Sequence, residues 1–200
     1  MTDLKGQVQD VTAALQWIFD HIHQYVGDSE QISVTGDSAG AQLAFLVCAA
    51  SANEAYRRSY EITSLSKPIK ALGLTCPVSC LHEMAKSQDE MTREWMQVLY
   101  GGEPEQSSLW NCSDYADILT DCKELPSIYI LTTKGDQKYY RQSLALHDLM
   151  NRKQIEHVYR EWESMENKDL GHVFNVLYPA CQDSRAANQE MVYFFLNVRR

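Results

Sequence analysis

The stretch Ile32-Ser33-Val34-Thr35-Gly36-Asp37-Ser38-Ala39-Gly40-Ala41 constrains this chain more than any other. A short β-branched run enters Gly-x-Ser-x-Gly and passes directly into a helix-forming run, 42–50, so the spacing predicts a strand, a sharp turn and a helix, with Ser38 on the turn. Such a turn holds its serine in a strained conformation, hydroxyl above the sheet and helix N-terminus beneath. The residues two before and two after must be small for strand and helix to approach, and Gly36 and Gly40 are. The backbone N–H of Ala39 is then available to an oxyanion. The alternative, an ordinary helix cap at Ser38, leaves the two glycines unexplained.

Upstream, Leu4, Val8, Val11, Leu15, Ile18, Ile22 and Val26 recur in steps of three and four. That predicts one amphipathic helix ended by Gly27, with Trp17 and Phe19 filling core. Beyond the turn the helix is nearly all apolar as far as Ala52, and a polar connection, 53–68, follows. Apolar runs at 69–78, 127–133 and 157–162 read as further strands, and 137–152 and 184–197 as helices. Near-continuous apolar strands separated by helices indicate an α/β fold, a mostly parallel sheet covered on both faces.

A single domain, 1–200, is expected, with a lid-like insertion at about 79–123. There Met84, Met91, Trp95, Met96, Leu99 and Tyr100 form one helical stripe, and Gly101-Gly102 leads to a loop holding Trp110. Most of the insertion reads as a small core of its own, with Met84, Trp95 and Trp110 as candidate walls of an apolar substrate pocket.

The net charge of −9 argues against nucleic acid or an anionic membrane as partner. Arg57-Arg58 and Arg199-Arg200 are isolated pairs that read as solvated surface. Six cysteines are scattered without the rhythm of a disulfide framework. Only Cys76 and Cys80 lie close together, with no second pair to complete a zinc site, so reduced, mostly buried thiols and no metal are expected. No leader opens the chain and no apolar run is long enough to span a bilayer, which at face value means a cytoplasmic protein.

A serine attacks only when a base takes its proton, and that base needs a partner to fix its tautomer. Asp136 follows the 127–133 strand through Lys134-Gly135, and His172 lies in Leu170-Gly171-His172-Val173-Phe174 before the last helix. Asp136 could instead cap the helix after it, and Asp169 is a second acid in the loop of His172 itself. His21, His23, His82, His147 and His157 read as surface or packing residues, since none follows a strand at the expected edge. The order Ser38, Asp136, His172 is the one used by α/β-hydrolases.

Gly36-Asp37-Ser38-Ala39-Gly40, after a tryptophan-bearing helix and Gly27-Asp28-Ser29-Glu30-Gln31-Ile32, resembles the elbow of the hormone-sensitive-lipase-like esterases, an α/β-hydrolase group. Leu125-Pro126-Ser127, Gly135-Asp136 and Gly171-His172-Val173-Phe174 resemble its acid and histidine segments, so the resemblance runs from about Gly6 to Leu196. It implies a serine hydrolase of small carboxylic esters without a cofactor, with Ser38 as nucleophile, Asp136 as orienting acid, His172 as base and Ala39 as one oxyanion donor. Two features depart from the family: Ala41 stands where a glycine is expected, and the His-Gly-Gly stretch that supplies further oxyanion donors has no counterpart upstream. The chain therefore reads as N-terminally truncated, as a complete chain whose apolar edge strand pairs with another copy, or as a relative that no longer turns over. A non-catalytic binding protein, or a formamidase or peptidase with the same triad, are the other readings.

Overall fold

The structure is a computed structural model and describes residues 2–122, 124–166 and 168–198; the Arg199-Arg200 pair and Lys123, where the expected insertion ends, lie outside the described residues. In chain order the elements are α1 (Leu4–His21), β1 (Ser33–Asp37), α2 (Ala39–Ala52), α3 (Glu54–Tyr60), β2 (Ala71–Thr75), α4 (Leu81–Ala85), α5 (Glu90–Tyr100), α6 (Tyr115–Asp121), β3 (Ser127–Thr132), α7 (Tyr140–Arg152), β4 (His157–Glu161), α8 (Phe174–Leu177) and α9 (Gln182–Asn197). Contacts divide the chain into two compact units: Met1–Ser29, Leu46–Pro68 and Ser79–Leu125, and Glu30–Phe45, Ile69–Val78 and Pro126–Arg200.

The second unit holds the whole sheet. Its four strands pair in parallel in the order β1-β2-β3-β4, with Gly36 opposite Leu74, Leu74 opposite Ile130 and Ile130 opposite Tyr159. Tyr129 and Leu131 of β3 pack with Trp162, Leu170, Phe174, Ala187 and Met191. Ile128 and Ile130 point the other way and are equally buried. Burial on both faces is why these strands read as continuous apolar runs. Gly73 lets α9 lie close to β2: a Cβ there would fall 2.7 Å from Met191 Sδ and 2.8 Å from Phe195 Cζ. No helix among the described residues is long and apolar enough to cross a membrane.

In the first unit Tyr56 and Tyr60 of α3 are buried, and the Tyr60 hydroxyl donates to the carbonyl of Cys112 at 2.9 Å. Asp114 caps α6, accepting from the N–H of Ala116 at 2.9 Å, and also accepts from the N–H of His82 at 3.1 Å. One carboxylate thereby ties the starts of α4 and α6 together.

Several expectations need correction. The first helix ends at His21; a 3-10 turn, Ile22–Tyr25, follows, and Val26 is left-handed and 99% exposed. The buried face of α1 is Leu4, Val8, Thr12, Leu15 and Phe19. Trp17 does not fill core, because it sits about 200° around the helix from Leu15 and Phe19; it is 52% exposed and stacks on His21. The connection at 53–68 contains α3, started by Asn53, whose side chain accepts from the N–H groups of Ala55 and Tyr56. The stripe from Met84 to Tyr100 is split between α4 and α5, and in α5 Met96 and Tyr100 are buried while Met91 and Trp95 face solvent.

Candidate active site

Ser38 sits immediately beyond β1 with φ +53°, a left-handed conformation that costs a non-glycine residue about 1–2 kcal/mol. Hydrogen bonds hold it there. Its N–H donates to the carbonyl of Thr75 at 2.9 Å, and its carbonyl accepts from Ala41 at 3.1 Å and from Gln42 and Val78 at 3.3 Å. Ala39 opens α2, where an N–H has no acceptor within the helix.

The two glycines of the turn differ. A Cβ on Gly36 would lie 2.3 Å from the carbonyl oxygen of Gly40 and 2.8 Å from the nitrogen of Ala41, so strand and helix approach only because residue 36 has no side chain. A Cβ on Gly40 would meet nothing within 4 Å. Smallness is required before the serine and not after it, which corrects the symmetric expectation. Asp37 closes β1, opposite Thr75.

Asp136 and His172 meet. Nδ1 of His172 and Oδ2 of Asp136 are 2.8 Å apart, with the acid fully buried and the histidine side chain 29% exposed. Oδ1 of the same carboxylate accepts from the N–H groups of Lys138 at 3.2 Å and Tyr139 at 3.0 Å. Asp136 does not cap the following helix, as one reading of the sequence had it: α7 starts only at Tyr140, with Tyr139 as its N-cap, and the carboxylate closes the turn before it while it pairs with His172. An ionised acid makes Nδ1–H the donor, leaving the Nε2 lone pair on the far side of the ring. The Tyr139 ring lies 4.9 Å from the imidazole, centre to centre.

The two loops can close on each other because Gly135 has no side chain: a Cβ there would lie 2.2 Å from the carbonyl oxygen of Leu170 and 2.4 Å from Oδ1 of Asp169. Asp169 thus abuts the acid loop, and the partner of Nδ1 is Asp136. Val173, next to the histidine, is also left-handed, with φ +47°.

Among the described residues two clusters have the composition of a cation site. Cys76, Asp136 and His172 place ligand atoms within 4.8 Å of one another, as do Glu166, Cys181 and Asp183. In the first, Oδ2 of Asp136 is bonded to the imidazole, and burial pushes the Cys76 thiol up to about 12, keeping it protonated. In the second, Asp183 accepts from Trp162 Nε1, the Ser164 hydroxyl and the Met165 N–H, at 3.0, 3.1 and 2.9 Å. Both are built as hydrogen-bonded carboxylates.

Ser38, Ala39, Asp136 and His172 all belong to the second unit; Met84, Trp95 and Trp110 belong to the first. There Trp110 stacks on His82 at 3.8 Å, Trp95 is 55% exposed and Met84 is half-buried. His21, His82, His147 and His157 pack on Trp17, on Trp110 and on each other, as the sequence leads one to expect. Cys76 is the residue of this site that sequence reasoning missed; its one signal is that, like Ser38, it directly follows a strand.

A family model described as the alpha/beta hydrolase fold matches residues 2–175. Among solved structures the chain is similar to esterase B from Lactobacillus rhamnosis (HN001), with 25% identity and a TM-score of 0.88 over 98% of this chain and 62% of that one. It is equally similar to esterase B inhibited by a C4-C4 SN3 tributyrin phosphonate, with 26% identity, a TM-score of 0.88 and the same coverage. The carboxylesterase Cest-2923 from Lactobacillus plantarum WCFS1 shares the fold at 14% identity and a TM-score of 0.69, over 93% of this chain and 66% of that one. The chain spans about 62% of the length of the esterase B structures. No curated protein matches it in sequence.

Proposed function

Because the chain belongs to the alpha/beta hydrolase fold family, we propose that it is the catalytic part of a carboxylic ester hydrolase in which Ser38, His172 and Asp136 act as a triad. The observation that carries this reading is the 2.8 Å bond between a buried carboxylate and a part-exposed imidazole, in the unit that also holds a serine on a strained strand-to-helix turn.

Ser38 Oγ attacks the ester carbonyl while Nε2 of His172 takes its proton, then returns it to the departing alkoxide. Water, activated by the same nitrogen, attacks the acyl-serine and releases the acid. Asp136 keeps the imidazole in the tautomer with Nδ1 protonated and stabilises the imidazolium in each half-reaction. The N–H of Ala39 supplies one hydrogen bond to the tetrahedral oxyanion; a lost second donor costs roughly a hundred- to a thousandfold in rate. Esterase B is seen inhibited by a C4-C4 SN3 tributyrin phosphonate, which makes butyrate esters the first substrates to try.

A fluorophosphonate probe should label Ser38 and lose its target in Ser38→Ala. A folded wild-type sample that takes up no label would remove the proposal. Labelling without turnover of p-nitrophenyl butyrate would leave an activated serine in a non-catalytic binding protein.

A further inference from the structure

Away from the candidate site, two part-buried histidines meet where α7 packs on β4. Nδ1 of His147 and Nε2 of His157 are 2.8 Å apart, with the two rings edge to face at 67°. Nδ1 of His157 lies 2.8 Å from the carbonyl oxygen of Ile155, and Nε2 of His147 lies 3.1 Å from the amide nitrogen of Asn151. The His147 ring also stacks on Tyr159, centres 4.1 Å apart. All of these residues belong to the second unit.

The backbone end of this chain of contacts fixes the rest. A carbonyl oxygen only accepts, so Nδ1 of His157 carries a proton and, in the neutral ring, its Nε2 is a lone pair. That lone pair receives the Nδ1–H of His147, whose own Nε2 is then a lone pair facing the amide N–H of Asn151. Three hydrogen bonds run one way, from Asn151 through both imidazoles to the backbone, and every ring nitrogen is matched. Both rings are thereby held with the proton on Nδ1, the tautomer that a free histidine side chain disfavours. One further proton leaves the contact intact. It adds to Nε2 of His147 as the bridging proton passes to His157, and the Asn151 amide turns its oxygen to accept. A second added proton has no such place, because it sets N–H against N–H between two cations.

We propose that the His147–His157 pair is an acid-sensitive latch between α7 and the edge strand β4, closed with no added proton or with one and opened by the second. It spans the turn that joins the two elements, so its opening frees the C-terminal part of α7 and the start of β4 together. Tyr159 of β4 and Asp148 of α7 are the other titratable groups acting on His147. Opposite His157, β3 presents the uncharged Ile128, and Glu156, its neighbour in the chain, is exposed. Burial and then His157 hold His147 below the ordinary histidine value, and Asp148 offsets this only in part. Unfolded histidines charge below about 6.5. The folded pair takes up fewer protons than two unfolded histidines, so stability that is complete above that value is lost as pH falls beneath it. Nothing in the latch depends on the function proposed above.

Nitrogen-15 spectra of the imidazoles in the whole chain read the tautomers directly. At about pH 8 both His147 and His157 should carry the proton on Nδ1, and on acidification to about pH 5 the two rings should titrate as a coupled pair in two steps. Either ring in the Nε2–H tautomer at the start, or two independent single-site curves, overturns the proposal. Thermal melts test the opening. Lowering the pH over the same range should cost wild type about 2–4 °C more than a His147→Gln/His157→Gln variant, whose amides cannot charge. Equal losses overturn the latch even where the tautomers are as expected. Should the double variant fail to fold, the spectra decide alone.

Discussion

Asp136 divides its oxygens between two tasks, Oδ1 holding the turn at Lys138 and Tyr139 and Oδ2 holding the imidazole. Asparagine separates them. In Asp136→Asn the amide oxygen can still accept both N–H groups, but the amide nitrogen donates towards Nδ1, drives the ring proton to Nε2 and removes the base. The variant should unfold within about 4 °C of wild type and lose on the order of 10⁴-fold in kcat; Asp136→Ala should lose both stability and activity. Thermal melts beside steady-state kinetics decide this, and an Asn variant as unstable as the Ala variant would refute the division. The two elbow glycines separate in the same way. Gly36→Ala drives a Cβ into the backbone of Gly40 and should abolish soluble folded protein, whereas Gly40→Ala should change stability by less than about 1 kcal/mol in urea titration. At this scale Ser38, Asp136 and His172 were legible because their side-chain chemistry and their places after strands both show in the sequence. The asymmetry of the glycines and the contact of Cys76 were not, because each depends on which backbone lies opposite.

Between β4 and α8 the chain must deliver His172 to the acid, and α9 anchors that loop. Asp183, in the first turn of α9 and fully buried, accepts from Trp162, Ser164 and Met165. Burial pushes its carboxyl up, but the three donors outweigh it and hold the group below the ordinary carboxylate range. A depressed folded value means that the contribution is complete above the unfolded value of about 4 and is lost as pH falls through the folded one. Asp183→Asn, which turns one acceptor into a donor facing donors, should cost about 1–3 kcal/mol at pH 7. The gap from wild type should narrow as the wild-type carboxyl protonates, and a gap that stays constant into acid would show that its charge contributes nothing. Element boundaries were read less well than element types. α3 and α6 were passed over because polar caps, Asn53 and Asp114, open both, and the residues they bury, Tyr56 and Tyr60 or Tyr115, Ile118 and Leu119, span little more than one turn, too short a stretch for a period to repeat. The first helix was drawn too long because Ile22 and Val26 extend its period although the chain has left the helix by then.

The order of the sheet sets which parts of the second unit open first. β2 and β3 each have a strand on both sides, and all of β2 and nearly all of β3 are buried. Among the described residues β1 pairs only with β2, and every one of its residues is at least partly exposed, as the reading of an apolar edge anticipated. Protection against amide exchange follows burial and pairing, so the amides of Leu72, Leu74, Ile128 and Ile130 should exchange slowest and those of Ser33 to Asp37 faster. β4, also paired on one side with alternate residues exposed, should fall between. The gradient bears on function, because the proposed nucleophile hangs from the least protected strand while acid and base hang from the better protected side. If β1 proves as well protected as β3 at micromolar protein, something covers its edge. Repeating the exchange over a hundredfold range of concentration then identifies the cover: protection that fades on dilution means a second copy of this chain, and protection that does not means a contact within one chain.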